Sequence, residues 1–214
     1  MEKLHKYLST KIRQSKIKAS NFTLKNIVKS ETKRLGYDAD LNHIDVSFVT
    51  DFSNVFNMFF WQSDVFTVAD SRKINVDISK WDMSNAEELN CMFYSCRGFN
   101  CDISEWAMPK AKDFSFMFNA CENFDIDISG WDMSSAEKLD AMFQKCTKFN
   151  QPIGKWNTEN VESIDHMFFE ASSFCQDLSS WDLKNVYETQ YGVFPKSGMD
   201  VKFEFWPKCK KIKA

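Results

Sequence analysis

The sequence predicts an α/β solenoid: a right-handed coil with a parallel β-sheet of short strands on one side, short helices on the opposite side and an N-terminal helical cap. Three observations predict it. Trp81, Trp106, Trp131, Trp156 and Trp181 stand 25 residues apart without a slip. The text around them recurs, as Trp-Asp-Met-Ser-Asn-Ala at 81–86 and Trp-Asp-Met-Ser-Ser-Ala at 131–136. Two apolar periods run inside each repeat. A fixed period of this size marks units too small to bury their own apolar side chains, which stack to form a continuous core.

Counting each Trp as position 1, Met83, Met108 and Met133 occupy position 3, and this alternation predicts a short strand. Leu89, Met92, Phe93 and Cys96 occupy positions 9, 12, 13 and 16, the spacing of one face of two helical turns. Phe99, Phe124, Phe149 and Phe174 share position 19. The string Ile103-x-x-Trp106-x-Met108 reproduces the L-x-x-L-x-L core, so the coil is expected to be leucine-rich-repeat-like, with its tryptophans buried as the spine of the stack.

The chain divides into three parts. Residues 1–40 read as an N-terminal helical cap, with a first short helix over 3–18. A second is capped by Ser20 or Asn21, carries Leu24, Ile27, Val28 and Leu35 at helical spacing, and ends at Gly36. Residues 41–194 read as the repeat solenoid of about six coils. Its first coil is diverged, because Ile44 precedes Trp81 by 37 residues, leaving a 12-residue insertion between 57 and 73. This insertion is aromatic, with Phe60, Trp61 and Phe66. Two readings stand: it packs against the cap, or it presents an exposed anchor to a partner. Residues 195–214 read as a C-terminal cap, with Phe203, Phe205 and Trp206 over the open end, and a basic tail.

Composition excludes several classes. No run of 18 apolar residues offers a membrane span, and the N-terminus lacks the apolar segment of a secretory signal. Seven Cys without such a signal point to reduced thiols and a cytoplasmic location. Residues 1–40 hold ten Lys/Arg against four acids, whereas 41–200 hold twelve against 25. An acidic body is a poor surface for nucleic acid. The expected partner is another protein, and the chain is expected to be a monomer.

No G-x-S-x-G, H-E-x-x-H or P-loop string is present, so no enzymatic activity is expected. Cys96, Cys121 and Cys146 share position 16, on the apolar stripe, where Ala171 fills the same slot. They read as small packing groups rather than metal ligands, and neither a metal nor a cofactor is expected. Position 2 should form an outward column of Asp45, Asp82, Asp132, Asn157 and Asp182, flanked by Lys80, Glu105 and Lys155. The column suits a basic protein partner. Equally, its short side chains suit bonding to the adjacent backbone and shaping of the turns.

The repeat text, above all Asp-Ile-Ser-Lys-Trp-Asp-Met-Ser-Asn at 77–85, resembles the 25-residue unit of BspA-like leucine-rich-repeat surface proteins over about 41–194. That resemblance implies a non-enzymatic binding scaffold of bacterial or phage origin, often displayed on the cell surface and associated with adhesion to host proteins. The expected function is therefore a protein–protein interaction scaffold. The alternative is a structural or assembly protein of a phage or cell envelope that uses the repeat as a rigid spacer.

Overall fold

The computed structural model describes residues 16–61, 67, 69–186 and 192–198. The segment expected to be helical in each repeat is built differently. In the repeat of Trp81, the N–H groups of Met92, Tyr94 and Cys96 close turns onto the carbonyls of Leu89, Cys91 and Phe93 at 2.9–3.1 Å. The alternate N–H groups, of Leu89, Cys91, Phe93 and Ser95, donate instead to Asp113, Ser115, Met117 and Asn119 of the next repeat at 2.8–2.9 Å. The same pattern recurs from Phe114 to Ala120 and from Leu139 to Lys145.

Left-handed residues make this zigzag: Cys91 and Ser95 (φ 57° and 62°), Phe116 and Ala120 (both 59°), Ala141 and Lys145 (50° and 62°), and His166 and Glu170 (58° and 60°). An α-helix tolerates none of these angles and would send each N–H four residues back. Two turns of isolated helix are also too short to be stable in water. A left-handed non-glycine residue costs roughly 1–2 kcal/mol, which the bonds into the neighbouring repeat must offset. Parallel bridges Asp51–Glu88, Glu88–Asp113, Asp113–Lys138 and Lys138–Ser163 mark the start of the zigzag in successive repeats.

The Trp side corrects the prediction too. Among the described residues no sheet of repeat strands forms there. Among the described residues the only paired strands are β1 (Ile17–Lys18) and β2 (Ile44–Asp45), which run parallel. The α/β solenoid with strands on one side and helices on the other is thus replaced by layers built of turns. On the Trp side the layers are joined by side chains. The indole N–H groups of Trp81, Trp106, Trp131, Trp156 and Trp181 donate to the carbonyls of Leu41, Ile78, Ile103, Ile128 and Ile153 at 3.1–3.3 Å. Each tryptophan is at most 4% exposed. Elsewhere Asn75, Asn100, Asp125 and Asn150 each accept, at 2.8–3.0 Å, the N–H of the residue 25 positions later.

Between these two sides lie the phenylalanines. The position-13 rings Phe56, Phe93, Phe118, Phe143 and Phe168 stack in a column that Phe194, at position 14, extends, with ring centroids 5.3–5.8 Å apart. Within a repeat Phe93, Phe118, Phe143 and Phe168 lie 4.0 Å from Phe99, Phe124, Phe149 and Phe174. Phe194 continues the column although its repeat has lost the Met-Phe pair.

At the N-terminal end, α1 (Leu24–Leu35) buries Leu24 and Val28 in the same core and leaves Leu35 38% exposed. Gly36 adopts φ 112° and its N–H closes on the Thr32 carbonyl at 2.9 Å. Neither Ser20 nor Asn21 caps the helix: Thr23 precedes it with no side-chain cap bond, and Asn21 reaches instead to Thr50. Buried Glu31 of α1 accepts from Arg34 and pairs with His43 Nε2 at 3.0 Å, tying the helix to β2. Ile17 and Lys18, placed in a first helix by the sequence, belong to β1. Lys16, in the same expected helix, is irregular and exposed; residues 3–15 of that helix, the C-terminal cap residues Phe203, Phe205 and Trp206, and the tail lie outside the described residues. No helix among the described residues is long and apolar enough to cross a membrane.

Candidate functional surface

The position-2 column uses its side chains locally. Asp45, Asp82, Asp132, Asn157 and Asp182 each accept the N–H two residues on, from Ser47, Ser84, Ser134, Glu159 and Lys184, at 3.0–3.2 Å. These are turn-forming bonds of the kind short Asx side chains make. Bonds from the hydroxyl and amide of Ser47, Ser84 and Ser134 hold the Asp45, Asp82 and Asp132 carboxyls below their ordinary range. A second column, Asp77, Asp102, Asp127 and Asp177, does the same with the N–H of Ser79, Ser104, Ser129 and Ser179 at 2.8–3.1 Å. Asp82, Asp132, Asn157 and Asp182 remain exposed, as do Lys80, Glu105 and Lys155. The column is therefore accessible, but its geometry belongs to the turns.

The three stacked thiols face inward. Cys96, Cys121 and Cys146 are fully buried, and their S–H groups point to the carbonyls of Phe56, Phe93 and Phe118 at 2.9–3.1 Å. Burial pushes all three thiols upward, away from the thiolate a nucleophile or metal ligand needs. Among the described residues no group of three or more His, Cys, Asp and Glu is placed to hold a metal ion.

The aromatic insertion splits into two parts. Its α2 (Met58–Trp61) turns Trp61 inward, 3% exposed and 5.8 Å from Phe56, so that residue is core. Phe59 and Phe60 point outward, 63% and 66% exposed, edge to face at 5.7 Å. Phe66 lies outside the described residues.

Two more exposed aromatics sit at this end. Phe22 is 93% exposed and Phe48 78%. Sequence reasoning passed over both, though a signal existed for Phe48. It occupies position 5, which holds the polar Asn85, Lys110, Ser135, Asn160 and Asn185 in the regular repeats.

Asn21 fixes where Phe22 lies. Its Oδ1 accepts the N–H of Thr50 at 2.9 Å and of Asp51 at 3.2 Å, and its Nδ2 donates to Thr50 Oγ1 at 3.1 Å. The start of α1 is thereby pinned to the first repeat. Farther along the helix, Lys25, Asn26 and Lys29 face Asn54, Phe60 and Trp61 across a cleft of about 270 Å³. Phe60 lines the cleft.

A shallower polar depression, lined by Lys112, Ser134, Glu137, Asn160, Glu162 and Asn185 among others, lies on the repeat body. Its groups are largely engaged with one another: Lys112 bonds Glu137 at 2.8 Å, and the Asn160 and Asn185 amides donate to the Ser134 and Glu159 carbonyls at 2.7 Å. The cleft beside α1 is the better candidate, because it combines cations with exposed apolar surface.

No curated protein and no solved structure matches the chain. A family pattern matches it twice in overlapping stretches, residues 22–129 and 102–197, which together take in every repeat and α1. With its 25-residue text covered over that span, the chain belongs to the family described as "Mycoplasma protein of unknown function, DUF285".

Proposed function

We propose that this chain is a non-enzymatic protein-binding module whose contact surface is the end formed by α1 and the first repeat. One observation carries the reading. Phe22, Phe48, Phe59 and Phe60, each at least 63% exposed, gather in residues 22–60, whereas among the described residues of the later repeats the most exposed large apolar residue is Phe116 at 39%. Burying such side chains against a partner contributes roughly 1.5–3 kcal/mol each, and aromatic anchors dominate interface energetics. The resemblance to BspA-like surface proteins supports adhesion as the setting for such a contact. The test is a pull-down from the native host, repeated with Phe22→Ser, Phe59→Ser and Phe60→Ser combined. Loss of the captured partner at an unchanged melting temperature is expected. Undiminished capture would remove this surface from consideration.

A second reading, a rigid spacer in an assembly, draws support from the unbroken phenylalanine column, since close-packed aromatic layers resist bending. Light scattering across a concentration series separates the two: growth into larger species favours the spacer, a constant monomer mass the binding module.

A further inference from the structure

We draw no further inference here: the strongest candidate, the exposed aromatic face of α1 and the first repeat that carries Phe22, Phe48, Phe59 and Phe60, belongs to the contact surface already described, and nothing in the structure shows what covers it.

Discussion

The regular repeats and the N-terminal end are made from the same text, yet they treat aromatic residues in opposite ways. Between Ile74 and Leu183, tryptophans and position-13 and position-19 phenylalanines are all buried, and backbone groups on the zigzag side bond either within their layer or to the next one. In the first repeat position 5 changes from polar to Phe48, and the 12 extra residues carry Phe59 and Phe60 outward. The regular layers must match their neighbours on both sides, so their side chains answer to stacking. The first layer meets α1 instead and is released from that constraint. A contact surface thus arises where the repeat is interrupted.

The largest effect that should separate the regions is on stability. Trp131→Ala removes a buried indole, its bond to the Ile103 carbonyl at 3.1 Å and its contact with Trp106 at 6.5 Å. A loss of about 3–5 kcal/mol is expected, read as a lowered urea midpoint, whereas Phe22→Ser should leave that midpoint within about 0.5 kcal/mol. Equal losses at the two sites would erase the distinction between regions.

Next in size is the loss of binding at the N-terminal end. Replacing Phe60 with Ser should weaken the partner complex at least tenfold by calorimetry, while Phe116→Ser on the regular body should leave it unchanged. A reversed order would move the contact surface onto the body.

Acid should act mainly through the body. The folded-state carboxyls of Asp77, Asp82, Asp102, Asp127, Asp132 and Asp177 are held low by serine hydroxyl and amide bonds. Each therefore contributes stability that is present above the ordinary carboxylate range and lost as pH falls through its lowered value. Glu88 has the opposite sign: burial, then the nearby Asp113, raise its value, so its contribution is lost as pH rises through it. The depressed groups are more numerous, so the melting temperature should fall as pH drops below about 4. A flat profile down to pH 2 would show that the turn bonds carry no net charge preference.

The smallest effect concerns the exposed column. Asn157 already occupies its pattern and accepts the Glu159 N–H at 3.1 Å, so the turn needs a carbonyl oxygen rather than a charge. Asp82→Asn and Asp132→Asn should keep the melting temperature within a degree or two. Lysine at either position loses the bond as well, at about 0.5–1.5 kcal/mol. If the Asn variants weakened partner binding while leaving stability intact, the column would join the contact surface.

How much of this was legible can be argued from single positions. Burial was: the alternation of Trp81 with Met83 and the position-19 phenylalanines mark side chains that one repeat cannot bury alone. The local backbone was not. Leu89, Met92, Phe93 and Cys96 have helical spacing, but a zigzag of four-residue turns with left-handed residues at positions 11 and 15 puts the same four inside. Spacing reports which side chains share a face and is silent on the sign of φ. The candidate surface was half legible: the insertion stood out as aromatic, but the inward turn of Trp61 and the exposure of Phe22 depend on how α1 lies across the first repeat.

By itself the sequence determined the period of 25, the layers it implies and the identity of the core residues, because these follow from the apolar pattern alone. Tertiary structure decided that neighbouring layers bond through alternating N–H groups and indoles instead of strands and helices. It also decided which aromatics at the N-terminal end face solvent. Both outcomes depend on partners 24 or more residues away, and no local propensity records what such a partner offers to a given N–H or ring.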